Sequence, residues 1–375
     1  MDFKIQYTDS FSRASNLTLN NKVISTPINW FAFSNIESRE FQIKSYLKSN
    51  VSSFLCNVYD LKFNDKNGDR RKLVDFLKHC GLNSKIDSGG YQAMNKGIEL
   101  SQFDVATIQT EINCDISIQL DHPLVPDLNE MEIKKRIDYN IKNLEILVDN
   151  FSNSLNFIPT IHGYDSKSLD YSIEKIIKVM GRKPKIVAIG SLVPLSLNAS
   201  LEKKKKLVDI ILYVRNKLPN SFLHILGMGG SMTYVGVFCG ADSFDSAGWA
   251  QKSGFGVIQL PGVSDRFIEK HSHGRRSLNE SEKIQFIDCE CVACKNYSSD
   301  FSDFVGKGED KRLLRAIHNL SLFQTEMYKM RRAIKNKIIE PFIRKRLINS
   351  KWLKLIDYAK TKMNITEKST IDTFF

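Results

Sequence analysis

Residues 185–229 read KIVAIGSLVPLSLNASLEKKKKLVDIILYVRNKLPNSFLHILGMG, and the order of patterns within them decides the fold. A short apolar run, Lys185–Ile189, stops at Gly190-Ser191. A helical pattern follows over Leu201–Leu218, and a second apolar run, Phe222–Leu226, stops at Gly227-Met228-Gly229. Short apolar runs are strand-sized, whereas the longer stretch repeats its apolar residues every three or four positions. Strand–helix–strand units of this kind imply parallel pairing. The alternation extends in both directions. Further strand-like runs are Ser25–Phe33, Ser52–Tyr59, Lys85–Asp87, Asp115–Asp121, Asn156–His162 and Ala241–Phe244, with helical patterns over Glu130–Asn150 and Lys167–Gly181. About eight strands in roughly 250–280 residues fit a (β/α)₈ TIM barrel. An open, doubly wound sheet is the alternative.

The run ends separate the two. Several runs finish in a chemically useful group: Asp87, Asp121, His162, Gly190-Ser191, Gly227–Gly229 and Asp245. A barrel gathers the carboxyl ends of all its strands over one pocket, whereas an open sheet gathers fewer. The barrel is therefore the expected α/β architecture.

Cys289, Cys291 and Cys294, followed by His318, form the second informative pattern. Three thiolates and an imidazole suit a closed, structural Zn²⁺ site with no open position. His318 lies in a helix-like stretch, Lys311–Met330, that the metal would pin against the C-x-C-x-x-C turn. The four other cysteines (Cys56, Cys80, Cys114 and Cys239) are scattered in apolar contexts, which fits buried thiols in a reducing cytoplasm. The expected division is a barrel over 1–275, a zinc-binding subdomain over 276–330 and a basic helical segment over 331–375. No apolar run is long enough to span a bilayer, and the opening MDFKIQYTDS does not read as a signal peptide.

The formal net charge is +12, which favours a polyanionic partner. The basic residues concentrate in the last segment, where Arg331, Arg332, Lys335, Arg344, Lys345 and Arg346 accompany apolar residues at helical spacing. This reads as a packed face with either a solvated or a phosphate-binding face opposite. The stretch His271–Arg276, ending in Arg275 and Arg276, is either an exposed loop or a second phosphate contact.

Two carboxylates carry the chemistry. In Gly240–Ala247, alternation sends Ser243 and Asp245 one way and Asp242 and Phe244 the other. Asp245, at the end of the run, is the one expected in the pocket. Asp242 reads as a cap or surface ion pair. In Asp87-Ser88-Gly89-Gly90-Tyr91-Gln92 the glycines permit a sharp turn and close approach of a flat ligand, with Asp87 and Ser88 as hydrogen-bonding groups and Tyr91 to stack. A tight turn with an Asx cap explains the same residues. Asp87 and Asp245 on one pocket allow nucleophile and acid/base roles to be divided by environment.

The segments Asp87–Gln92, Ala188–Leu195, Gly240–Ala247 and the Cys289/Cys291/Cys294/His318 cluster, in this order, resemble the tRNA-guanine transglycosylase family. Ser12–Leu17 and Ser25-Thr26-Pro27 are also similar to that family's first strands, so the resemblance covers roughly residues 10 to 325. It implies replacement of a guanine in a nucleic acid by a 7-deazaguanine, with no redox cofactor. Asp245 would be the nucleophile on C1′ and Asp87 the general acid/base, through a covalent glycosyl–enzyme as in retaining glycosidases. Asp121 would accept from the base's N1–H and amine, although a helix N-cap ahead of Pro123 explains it equally. Backbone groups at Gly190, Ser191 and Leu192 would read the purine edge, and Tyr91 and Met228 would sandwich the ring. His162-Gly163 stands where the family usually shows glutamine and glycine, a departure that bears on substituent specificity.

After Asp245 the bacterial enzymes carry an arginine-rich stretch, whereas Gly248–Gly256 here has no arginine and the F-D-S-A form is nearer the archaeal branch. With a short basic tail after the zinc unit, the chain resembles the DpdA-type DNA 7-deazaguanine transglycosylases, which insert bases such as preQ0. DNA is therefore the expected partner, reached by extruding the target nucleotide. The alternatives are a tRNA enzyme and a non-catalytic nucleic-acid-binding member. By analogy with the family, a homodimer and the partner proteins of a DNA-modification system are further expectations.

Overall fold

A computed structural model describes residues 1–19, 22–196, 199–263, 265–269, 276–297 and 302–371. The chain starts with an antiparallel sheet of β1 (Asp2–Asp9), β2 (Ser12–Leu19) and β3 (Lys22–Thr26). The parallel strands follow: β4 (Ile28–Ala32), β5 (Ser53–Asn57), β6 (Asn83–Asp87), β7 (Ile116–Ile118), β8 (Phe157–Ile158), β9 (Thr160–Ile161), β10 (Ile186–Ile189), β11 (Phe222–Ile225) and β12 (Ser243–Ser246). Their hydrogen-bonded order is β8-β7-β6-β5-β4-β12-β11-β10-β9.

The two ends of that order are halves of one extended run, interrupted at Pro159. Ile118 pairs with Ile158 on one side, and Thr160 pairs with Ala188 on the other. The sheet therefore closes on itself with eight strand positions, and the open-sheet alternative is excluded. Gln119 fastens the seam: its side-chain oxygen accepts from Thr160 N at 3.2 Å and its amide donates to Asn140 O at 2.6 Å. Each expected strand run overlaps a barrel strand, although β6 begins before Lys85 and β12 continues past Phe244 to Ser246. The run Ser25–Phe33 divides at Pro27 into β3 and β4. Ser52–Tyr59 stops at Asn57, whose side chain caps the short helix Val58–Phe63. The expected helices appear as Glu130–Phe151, Ser166–Met180 and Leu201–Lys217.

The barrel interior is apolar at its amino end. Leu17, Leu19 and Ile24 of the hairpin pack against Ile28, Ile116, Ile186 and Phe222, near the amino ends of their strands. Burial of each such side chain contributes about 1.5–3 kcal/mol, so the hairpin acts as a floor. Asp242 helps to hold it there. This residue is fully buried, ion-paired to Arg13 of β2 and to Arg215 at 3.2 Å, and accepts from Leu223 N at 2.9 Å. The expected surface pair is thus an internal one, because the partners come from distant parts of the chain. Cys56, Cys114 and Cys239 are buried as expected, whereas Cys80 is exposed.

After the barrel come β13 (Val257–Ile258), β14 (Arg266–Phe267) and the helices Glu280–Ile287 and Val292–Tyr297. The helix Glu309–Lys335 then carries His318 at one part of its length and packs on β4 and the helix Arg39–Lys48 at others. The boundary expected after residue 330 falls inside this helix. Two further helices, Ile339–Leu347 and Leu353–Ile371, pack on Met232–Phe238 and Leu201–Lys217. No helix among the described residues is long and apolar enough to cross a membrane.

Candidate active site and metal centre

Asp245 points into the barrel, as alternation along β12 requires, and Phe244 points into the outer core. Its Oδ1 accepts from Gly227 N at 2.5 Å, and its Oδ2 lies 2.8 Å from Lys85 Nζ and 3.0 Å from His224 Nε2. Lys85 is completely inaccessible to solvent. It also lies 2.6 Å from His224 Nε2 and 5.7 Å from the centre of the Trp30 ring. His224 Nε2 thus sits between a donor, the Lys85 ammonium, and an acceptor, the Asp245 carboxylate. Its Nδ1 lies 2.9 Å from Ser243 Oγ, which accepts from Trp30 Nε1 at 2.9 Å.

Burial sets the charges here, and neighbours correct them. Burial and the Lys85 charge push His224 down to about 4, so its ring is neutral. Burial also lowers Lys85, against the opposing pull of Asp245 and Asp87. Burial alone would raise the Asp245 carboxyl, but the Lys85 charge and the contacts with His224 and Lys85 together hold it well below the usual carboxylate range. Asp87, two residues after Lys85 and on the same side of β6, goes the other way. Burial, then the charges of Asp121 and Asp245, raise it to about 7. One carboxylate is kept ionised and the other is poised to exchange a proton near neutrality.

The turn after β6 is built for close approach. Asp87 Oδ2 accepts from Gly89 N at 3.3 Å and Ser88 Oγ from Gly90 N at 3.2 Å. Gly89 has φ +76°, and a Cβ there would lie 2.5 Å from Tyr59 Cβ, so only glycine fits. Ser88 is buried in this turn, while Tyr91 is 54% exposed and free to cover a ligand. Across the mouth, Asp121 Oδ2 lies 3.3 Å from His162 Nε2, and His162 Nδ1 lies 2.7 Å from Ser191 Oγ. Gly190 packs flat on that imidazole, since a Cβ would approach Cε1 to 2.4 Å. The Tyr164 hydroxyl reaches Leu124 O at 2.9 Å and Ser191 O at 2.8 Å. His162 thus joins the Asp121 and Ser191 loops. Gly163 serves packing, lying against the first turn of the helix Ser166–Met180.

One expectation needs correction. The Met228 side chain is 1% exposed in the outer core, with its sulfur against Gly236. It cannot sandwich a ring at the mouth, because Gly227 at φ +69° breaks the strand alternation. Leu192 has a core side chain, and the expectation for this residue concerned its backbone alone. The residues that sequence reading missed are Lys85 and His224. The signal was present: Lys85 shares the parity of Asp87.

The Cys289, Cys291 and Cys294 sulfurs lie 3.6, 3.7 and 3.3 Å from His318 Nδ1, and the four ligand atoms fall within 4.8 Å of one another. Tetrahedral zinc with ordinary Zn–S and Zn–N bonds separates S and N by about 3.6 Å. His318 Nε2 donates to Gln259 O at 2.8 Å, the outer contact that frees Nδ1 for a metal. The donor set and spacing therefore fit a metal ion.

The basic segment is less available than its sequence implied. Arg331 donates to Pro27 O at 2.7 Å, Arg344 pairs with Glu340 and Asp357, and Arg346 pairs with buried Glu326. Arg332, Lys335 and Lys345 are exposed. Pro27 immediately precedes the amino end of β4, so Arg331 and its neighbours sit at the barrel end opposite Asp87 and Asp245. That placement keeps Arg331, Arg332 and Lys335 away from phosphates around the target base. Arg276 is exposed, and Arg275 lies outside the described residues.

Residues 9–351 match the family model described as queuine tRNA-ribosyltransferase. The chain is 26% identical over 343 residues to a tRNA-guanine(15) transglycosylase of Pyrococcus furiosus, covering 89% of this chain and 54% of the relative. It is 27% identical over 306 residues to that of Archaeoglobus fulgidus, covering 80% and 59%. For that of Sulfolobus acidocaldarius the figures are 24% over 354 residues, 92% and 66%. The chain thus spans little more than half the length of the first of these relatives.

Proposed function

The chain belongs to the queuine tRNA-ribosyltransferase family, and from that premise we propose that it is a pentosyltransferase exchanging a guanine in a nucleic acid for another base by double displacement at Asp245. One observation carries the reading: at a single barrel mouth, Asp245 is held ionised beside Lys85 while Asp87 is raised to about 7.

Asp245 Oδ1, aligned by Gly227 N–H, attacks C1′ of the target nucleotide. The C1′–N9 bond breaks, its electron pair leaves with guanine, and Asp87 in its acid form supplies the proton. Lys85 stays on Oδ2 and stabilises the carboxyl group as it becomes an ester and again as it is released. The incoming base gives its proton to the Asp87 carboxylate and displaces Asp245 from C1′. Two inversions leave the anomeric configuration unchanged. Asp121 accepts from the base's N1–H and amine, Gly190 and Ser191 offer backbone groups to its edge, and Tyr91 covers its face. Cys289, Cys291, Cys294 and His318 would hold one Zn²⁺ in a structural role.

We take tRNA as the leading polymer, supported by the names of the relatives. DNA, with a 7-deazaguanine such as preQ0 entering, is the second reading. The test supplies labelled guanine and labelled preQ0 with tRNA transcript or duplex DNA. Label should enter one polymer in an Asp245-dependent manner. Zinc-loaded, folded protein that labels neither polymer would refute the proposal.

A further inference from the structure

The helix Leu201–Lys217 follows β10, whose carboxyl end bears Gly190 and Ser191, so its first turns start at the mouth of the barrel. Ser200 caps it, and the run Lys203–Lys206 places four ammonium groups there. Lys204 is only 4% exposed. It lines a cavity of about 220 Å³ together with Ala199, Leu201, Lys351, Trp352 and Lys354. Its Nζ lies 4.4 Å from the centre of the Trp352 ring, and Lys351 Nζ lies 5.5 Å from the same centre. Lys206, on the other side of the same helix turn, lies 5.4 Å from the ring of Tyr164, whose hydroxyl touches the Ser191 carbonyl.

Two ammonium groups share one ring and one cavity, and no carboxylate among the described residues lies within salt-bridge distance of Lys204, Lys351 or Lys354. Glu202, the nearest acid in sequence, is engaged with Lys205 at 2.9 Å. Cation–π attraction contributes about 0.5–2 kcal/mol for each cation and leaves the mutual repulsion of the lysines uncompensated. A concentrated, unneutralised positive site with an inward-facing lysine at a helix N-terminus is complementary to an anion. Burial, then the Lys351 charge, lowers Lys204, a strain that a bound anion relieves.

We propose that the cavity framed by Lys204, Lys351, Lys354 and Trp352 is a backbone-phosphate subsite that holds the substrate nucleic acid at the barrel mouth. The inference rests on the function proposed above. It puts polymer binding on this rim and not on Arg332 and Lys335 at the opposite end.

The test is the salt dependence of binding, read by fluorescence anisotropy with labelled tRNA transcript and with labelled duplex DNA. Each phosphate contact contributes about 0.7–0.9 to the slope of log K against log salt. Lys204→Ala/Lys351→Ala should lower the magnitude of that slope by about 1.4–1.8, whereas Arg332→Ala/Lys335→Ala should leave it unchanged. Lys351→Gln alone, at an exposed position, should lower it by about one contact without altering the unfolding midpoint, and should raise KM for the polymer while sparing kcat. An unchanged slope in both rim variants, with wild-type binding intact, would overturn this subsite alone. Wild-type protein that binds neither polymer would overturn both the subsite and the proposed function.

Discussion

Replacing Lys85 with methionine withdraws a positive charge 2.8 Å from Asp245 Oδ2 inside the barrel. At an effective dielectric constant of about 20, unit charges at that separation attract by about 6 kcal/mol. Keeping the ammonium away from water costs several kcal/mol in the same folded state. The net loss expected on breaking the pair from one side is about 3–5 kcal/mol, because the carboxylate is left buried and uncompensated. Urea unfolding at pH 7 measures it. Adding Asp245→Asn removes the stranded charge, so the double variant should be more stable than the sum of the two single losses predicts, by at least about 1 kcal/mol. The pH dependence has a definite sign. A depressed carboxyl contributes stability that is present above its ordinary value of about 4 and is lost as pH falls through the lower folded value. The unfolded carboxyl is common to both proteins, so the gap between wild type and Lys85→Met should narrow as pH falls from the variant's higher folded value for Asp245 towards the lower one of the wild type. The acid limb of the exchange rate should move to higher pH in the variant, since Asp245 then holds its proton more tightly. Additive losses within about 0.5 kcal/mol, together with an unmoved acid limb, would refute the pairing.

Asp87→Asn should reduce exchange by about 10²–10⁴-fold, measured by labelled-base incorporation. The same variant should gain stability at pH 8, up to about 4 kcal/mol, because the Asp87 carboxyl is raised from 3.8 to about 7 in the fold. A raised acid destabilises progressively between those two values, so the gain should vanish below about pH 4. Cys291→Ala should carry no zinc by elemental analysis and should unfold at lower temperature than wild type, since metal binding and local folding are linked. Retention of one zinc per chain would contradict the ligand assignment.

The barrel was legible because strand length, helical spacing and the placement of polar run ends all depend on local sequence. The parity of Gly240–Ala247 placed Asp245 inside and Phe244 outside, and the structure agrees. The same parity applied to Lys85-Ile86-Asp87 places Lys85 inside. Lysine is so rarely buried that the argument is easily passed over, and only the meeting of β6 with β12 supplies its counter-ion. Met228 was misread because a left-handed glycine reverses the side-chain alternation just before it. Arg344 and Arg346 were misread for a tertiary reason: a helical wheel does not show that Asp357 and Glu326 come to meet them. The gathering of Cys289, Cys291, Cys294 and His318 was legible from spacing alone, whereas the Gln259 carbonyl behind His318 was not, because it is a backbone group fixed by packing.

The central claim is that the Asp245 carboxylate becomes bonded to the sugar. Its most direct measurement is mass spectrometry of protein quenched in denaturant after incubation with polymer and no free base, followed by digestion. The account predicts a peptide carrying the sugar on Asp245, absent from Asp245→Asn and chased away when free base is added before the quench. An adduct on a different residue, or undiminished exchange by Asp245→Asn, would contradict it.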